Sequence, residues 1–388
     1  MELASSSRGG LEPKSQIKKR VENVSPQRAP STASHVSRHV SSVRRERSDV
    51  GEFAKLFYLF EARVHASEKA GQDEICGTQT LWNVGIHPQH QKLPFSTSAL
   101  TAAMAATSKP TVTITHITTA TAILNIDGVN FLTDPFFGAI EGTEYDSTAV
   151  WEQVDLKRFG FDRIPPPPHL INKQGPALQL NELPPIDAVL LSHEDHLDNL
   201  DPEGRKLLDG RKVFTTMDGA NNLRPRPGVV GLRPWETVTS CIGGKMYRIT
   251  GTPCKHFPIG EVTGFILETD SFGVDPSGKP NAIYFSGDTV YIDELREIGK
   301  KWHITVAIFN LGNATFEFPT GPVQITMDGK QAVQLARDIG ADAMVPIHFE
   351  SWEHFKEGRE ELLEVFTQEG FLDKVCWTVP GVPKEVVF

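Results

Sequence analysis

The sequence predicts an α/β layered sandwich, two β-sheets flanked by helices, over residues 111–388. Three observations carry this reading. Alternating, β-rich runs begin abruptly at residue 111. Turn and cap residues fall between the runs at short intervals, and the second half alternates strand-like with helix-period segments. TVTITHI (111–117), TAILNI (121–126) and VNFLT (129–133) read as strands rich in β-branched residues. Asp127-Gly128 between the last two is a two-residue hairpin signal, because both positions tolerate the positive φ that a type I′ turn requires. A long loop with four prolines at 165–168 interrupts the pattern. IDAVLLS (186–192) is apolar enough for a strand covered on both faces. Asp201-Pro202 is a helix start, with Asp as cap and Pro at the first helical position. Further strands are expected at 211–216, 245–250, 262–269, 282–287, 304–310 and 342–347. Helices are expected at 292–300, 328–339 and 359–369.

Residues 1–50 differ in composition. They are rich in Ser, Arg and Pro, and ten Lys/Arg against five Asp/Glu give the stretch a charge of +5 in a chain of net charge -10. Such a segment has too little apolar surface to offset the entropy of ordering, and a disordered tail is expected. An organelle transit segment is the alternative, weakened by Glu2, Glu12 and Glu22. Residues 51–110 read as a linker with one short amphipathic helix at 52–66. The acidic remainder disfavours nucleic acid as a partner. No run approaches the ~18 apolar residues of a membrane span. Cys76, Cys241, Cys254 and Cys376 are widely spaced and read as free thiols, which suits a cytoplasmic protein. The sequence leaves oligomeric state open.

The chemistry concentrates where strands end. His193, Asp195 and His196 fall within four residues just after the 186–192 strand. Imidazole and carboxylate are ligands for zinc, manganese or iron, and a turn aims neighbouring side chains at one point where a straight strand alternates faces. His256 follows the strand ending at 250, Asp288 follows 282–287, and His348 follows 342–347. Ligands from such ends converge on one sheet edge. His116 reads as a polar residue beneath this edge. Ser192, Thr289 and Asp198 read as groups that fix ligand geometry or, equally, as turn and cap residues. Trp352 and His354, in SWEHF, are candidates for lining a substrate mouth, with packing as the alternative, and His169 beside the prolines could cover it.

The order LLSHEDHLD (190–198), SGDT (286–289) and VPIHF (345–349), with ATAILNIDGVNFLTDPFF (120–137), resembles the metallo-β-lactamase superfamily. Within it the chain resembles the branch of UlaG-like lactonases and N-acylphosphatidylethanolamine-type phospholipases. The resemblance covers roughly 111–380. It implies an αββα four-layer sandwich and a hydrolase that uses a metal-activated water on an ester, lactone, amide or phosphodiester of a small molecule or lipid. It implies one or two Zn2+ ions, with Mn2+ or Fe2+ as alternatives. The family's H-x-H-x-D-H motif is incomplete here: an ungapped match puts Leu191 at the first histidine, and a gapped match that starts at His193 loses the second. The resemblance then assigns His193 and His256 to one ion, Asp195, His196 and His348 to the other, and Asp288 to both. His116 or Glu194 would be the substitutes for the lost ligand. Asp195 or Asp288 would orient the nucleophile and move a proton. The missing histidine also raises a member with altered or no hydrolytic activity as an alternative, and a nuclease of the same superfamily as another.

Overall fold

The structure is a computed structural model that describes residues 110–138, 144–145, 152, 155–161, 170–257 and 260–386. The expected tail, the linker with its helix, Cys76, the four prolines and His169 lie outside the described residues.

The first sheet collects β1 (Val112–Thr118), β2 (Thr121–Ile126), β3 (Val129–Thr133), β6 (Ala188–Leu190), β7 (Lys212–Thr216), β8 (Val229–Leu232) and β17 (Lys384–Val386), in the order β17-β1-β2-β3-β6-β7-β8. The second collects β9 (Thr237–Ile242), β10 (Lys245–Pro253), β11 (Thr263–Thr269), β12 (Asn281–Phe285), β13 (His303–Asn310) and β16 (Ala343–Ile347), in the order β16-β13-β12-β11-β10-β9. Two small pairs, β4 (Glu144–Tyr145) with β5 (Leu170–Ile171) and β14 (Thr315–Phe318) with β15 (Gly321–Gln324), stand apart. Helices α1 (Met217–Asn222), α2 (Glu297–Lys301), α3 (Gly329–Ile339) and α4 (Arg359–Gln368) complete the framework.

Strand periodicity of two decides which layer each side chain enters. On β2, Ala122, Leu124 and Ile126 enter the core between the sheets, and Ile123 points to the outer face. On β12, Ile283 and Phe285 enter the same inner core, and Ala282 and Tyr284 face the helices. Phe131 of β3 meets Tyr247 of β10 edge to face at 4.8 Å, joining the two sheets. Full burial of such a ring contributes about 1.5–3 kcal/mol. Outside the second sheet, α3 lays Ala332, Leu335, Ala336 and Ile339 on the strands, the spacing of one helical face. Asp328 caps its start by accepting from Gln331 N at 2.8 Å, and Gly340 ends it at φ +70°. The outer layer of the first sheet is thinner. It consists of 3-10 turns at Leu180–Glu182 and Gly204–Leu208 together with α1, packed on Val189, Leu191 and Val213.

The hairpin expected at Asp127-Gly128 forms with φ of +51° and +86°. The helix start at Asp201-Pro202 is corrected. Asp201 accepts from Gly204 N at 2.7 Å as a cap would, but also from Phe137 N, and only a 3-10 turn follows. A carboxylate shared with the 134–138 loop ties the chain down before an α-helix can propagate. Strands β8, β9, β14, β15 and β17 were not read from the sequence. They are edge strands or short hairpin arms, where side-chain alternation is weakest.

Three parallel neighbours in each sheet (β3, β6, β7 and β12, β13, β16) end at one rim. The loops that leave that rim carry the histidines and aspartates.

Candidate metal centre

Two groups of donors meet at the rim. His193, His196 and His256 form one, and Asp198, Asp288 and His348 form the other; within each group the candidate ligand atoms lie within 4.8 Å of one another. Asp288 stands between them, with Oδ2 at 4.0 Å from His256 Nε2 and Oδ1 at 3.8 Å from His348 Nδ1.

The first group is held by bonds that leave imidazole lone pairs facing inward. Asp134, at the end of β3 with φ +30°, receives Ser192 N at 2.6 Å, Ser192 Oγ at 2.8 Å and Asn199 Nδ2 at 3.1 Å. When the Ser192 hydroxyl proton goes to Asp134, the Ser192 oxygen accepts from His193 Nδ1–H at 2.8 Å. His193 Nε2 then keeps its lone pair, and it is buried with no hydrogen-bond partner. His256 Nδ1–H donates to the Ile325 carbonyl at 2.7 Å, which fixes the same tautomer. His256 Nε2 lies 3.2 Å from His196 Nδ1. Two ligands of one tetrahedral ion with zinc–nitrogen bonds near 2.0–2.1 Å stand about 3.3 Å apart, so this spacing fits a shared ion. Burial lowers His193 to about 3 and also lowers His256, so both are neutral at pH 7 and able to ligate.

The second group is charged. His348, at φ +60°, places Nε2 3.4 Å from Asp198 Oδ2. Burial alone would lower His348, but Asp288 and Asp198 hold it up to about 9. In return, and against their own burial, His348 keeps both carboxyls below the usual carboxylate range. Asn310, at the end of β13, donates to Asp288 Oδ1 at 2.7 Å. The Asp288 loop depends on Gly287, at φ +58°, where a Cβ would lie 2.6 Å from the Thr263 carbonyl oxygen. Thr289 Oγ1 accepts from Lys255 N at 2.9 Å and so ties the Asp288 loop to the His256 loop.

Of the candidates named from the sequence, the structure brings His193, His196, His256, Asp288 and His348 together. The assignment of His196 is corrected: it sits with His193 and His256, not with His348. Asp195 is in neither group. Its carboxylate lies beside Gly260, where a Cβ would meet Oδ2 at 2.6 Å, in a hollow shared with Glu194, Arg205 and Asp218. Asp198 takes the place expected of Asp195. Glu194 bonds Asn222 in that same hollow and does not substitute for a ligand. His116 stays beneath, with Nε2–H donating to the Thr119 carbonyl at 3.0 Å.

The turn thus reads His193-x-x-His196-x-Asp198-Asn199. One residue is inserted between the two histidines, and Asn199 stands where a final histidine would be, bonded to Asp134. Asp134, Asn199 and Asn310 were not singled out from the sequence. The available signal was Asp134 in TDPFF, a charged residue directly after a buried strand. Asp134→Ala is expected to weaken zinc binding about 10–100-fold, read by competition with a chelator. Unchanged affinity would remove Asp134 from this role.

A pocket opens over both groups. Leu170, Phe257, Ala314, Phe316, Ile325, His354 and Phe355 line it above His196, Asp198, His256, Asp288 and His348. His354 stacks on Phe316 at 6.2 Å, its Nδ1 is buried without a partner, and burial lowers it to about 4. Trp352 is corrected: it is 1% exposed and packs on Phe136 and Leu170 behind the lining. Among the described residues no helix is long and apolar enough to cross a membrane. Cys241, Cys254 and Cys376 are free thiols.

The chain is similar to several known proteins. A UPF0173 metal-dependent hydrolase of Exiguobacterium sp. is 26% identical over 260 residues, 67% of this chain and 95% of that protein. Among solved structures, an isothiocyanate hydrolase from Delia radicum gut bacteria superposes with a TM-score of 0.54 at 19% identity, over 71% of this chain and 100% of that one. A metallo hydrolase of the archaeon Ignicoccus hospitalis gives 0.51 at 21% identity, over 72% and 99%. These structural likenesses show a common αββα fold. The profile of the family described as "Beta-lactamase superfamily domain" matches residues 130–349, and with its motifs on the rim of such a sandwich this chain belongs to the metallo-β-lactamase superfamily.

Proposed function

We propose that the chain is a metal-dependent hydrolase whose two ions, zinc by preference, are held by His193, His196 and His256 and by Asp198, Asp288 and His348. One observation carries the proposal. Six donors from four loops meet in two groups, and the buried nitrogens His193 Nε2 and His348 Nδ1 lack any hydrogen-bond partner. A buried polar atom left unpaired costs about 1–3 kcal/mol, a cost that ligation removes. The relative named as a metal-dependent hydrolase supports the same reading.

Three imidazoles make a donor set of the catalytic zinc type, which leaves a fourth position open. A bound divalent ion would supply Lewis acidity and lower the pKa of water from about 15.7 toward about 7. The chain's own groups do the rest. Asp198 and Asp288 offer carboxylate oxygens on the pocket floor that can orient a water and take its proton. Asn310 fixes Asp288, and Ser192 with Asp134 fixes His193, so little reorganisation is needed when charge develops. The apolar walls limit bulk water.

The test is to measure bound metal and hydrolysis on the purified full chain. Two zinc per chain with ester or lactone hydrolysis abolished by chelation is the expected result. A chain that binds zinc but hydrolyses none of a broad ester, lactone, amide and phosphodiester panel would overturn it.

A pH effect follows from His348. Its pKa in the metal-free fold, about 9, exceeds the ordinary 6.5, so its pairing with the two aspartates stabilises the metal-free protein below pH 6.5 and is lost as pH rises through 9. At pH 7.5 the ring is protonated and must lose that proton to ligate. Zinc titration at pH 7.5 is expected to release about one proton per ion at this group, measured by calorimetry in buffers of differing ionisation enthalpy.

A further inference from the structure

The pocket's walls say what class of substrate reaches the ions, an inference that rests on the hydrolase reading above. We propose that it takes small uncharged carbonyl substrates bearing a short aliphatic group, such as esters and amides of two- to four-carbon acids, in preference to phosphodiesters and long-chain lipids.

Three features carry this. First, the wall is apolar: Leu170, Phe257, Ala314, Phe316, Ile325 and Phe355. Second, among the described residues no Lys or Arg lines the pocket, and Asp198 and Asp288 lie on its floor. Two divalent ions offset those carboxylates, so the floor does not repel an anion, but no side-chain cation of the wall adds to the hold on a phosphodiester, and an uncharged acyl group matches the apolar lining better. Arg158 and Lys255 line a neighbouring hollow that shares only His256 and Phe257 with the pocket, and Lys173, outside the lining, acts on His354 from a distance. Third, the space is small. The cavity volume is about 40 Å³, against about 150 Å³ for an apolar cavity that binds benzene. A propyl group fits where a phenyl ring or a long acyl chain does not.

The lining also offers one polar handle. His354 is neutral, rigidly stacked on Phe316, and has a buried nitrogen without a partner. That suits a single hydrogen bond to an uncharged substrate better than a charge pair. Hydrolysis of such an ester consumes one water: its oxygen bonds to the acyl carbon, the acyl C–O bond breaks, and the proton of the water leaves with the alcohol.

The experiment offers ethyl acetate, ethyl butyrate, ethyl decanoate and diethyl phosphate to the zinc-loaded full chain and follows acid release. In parallel, the rise in Tm that butyramide causes in the metal-free chain measures occupancy without turnover. The expected order of kcat/KM places acetate and butyrate about tenfold or more above decanoate, with the phosphate slowest. Ala314→Leu, which fills the pocket, is expected to cut butyrate about tenfold with zinc content unchanged. Phe316→Ala, which opens it, is expected to move the optimum toward decanoate. Preference for decanoate or for the phosphate would overturn the substrate class while leaving the hydrolase reading intact. Butyramide binding that Ala314→Leu abolishes, with no substrate hydrolysed, would keep the pocket assignment and sink the hydrolase reading. Neither binding nor turnover would sink both.

Discussion

Asp288→Ala is expected to strip the chain of most of its bound metal and to reduce hydrolysis about 10³-fold or more, equivalent to some 4 kcal/mol of transition-state stabilisation. The reason is position. Among the described residues Asp288 is the one carboxylate within 4.0 Å of a histidine in each donor group, and it is almost fully buried. Its removal takes negative charge from both groups at once and leaves Asn310 Nδ2 without its acceptor. Asp288→Asn keeps the shape but not the charge and is expected to lose nearly as much metal. Elemental analysis after gel filtration, set beside the Tm of the metal-free variants, separates lost ligation from lost folding. If Asp288→Ala retains two ions per chain and its activity, the bridging assignment is wrong.

The second large effect separates two aspartates three residues apart. Asp198→Ala is expected to lose the ion of the Asp198, Asp288 and His348 group and to lower kcat about 100-fold or more. Asp195→Ala is expected to keep both ions and stay within about threefold of the parent, because loss of a half-buried charge outside both donor groups changes little. His348 supplies an independent readout. Without Asp198 one of its two carboxylate partners is gone, so its pKa falls from about 9 toward the ordinary value, visible by NMR titration of the metal-free protein. The opposite result, with Asp195 essential and Asp198 dispensable, would restore the register that the family's motif suggests.

Donor identity was legible in the sequence where strand ends declare themselves. His256, Asp288 and His348 each follow an apolar run, and an element that ends at a rim places the next residue there. The helices α3 and α4 were legible for a similar reason: Asp328 and Gly340 punctuate a periodic segment, and local rules suffice. The turn at 192–199 was not legible. A turn has no period, so spacing alone does not say which of Glu194, Asp195 and Asp198 faces inward.

Trp352 shows the same limit from the other side. An aromatic residue beside a ligand loop suggests a pocket wall, yet its depth depends on Phe136 and Leu170, which arrive from distant parts of the chain.

By itself the sequence determined the layered α/β architecture, the strand ends that carry histidine and aspartate, and the kind of chemistry such donors allow. Only the tertiary structure decided that Asp198 rather than Asp195 joins the site, that His196 pairs with His256, and that the pocket is apolar and small. The physical reason is Asp134. It binds Ser192 at one end of the turn and Asn199 at the other, from 58 and 65 residues away, and so sets which side chains point inward. A constraint of that kind is fixed by packing of the whole domain and leaves no local pattern in the chain.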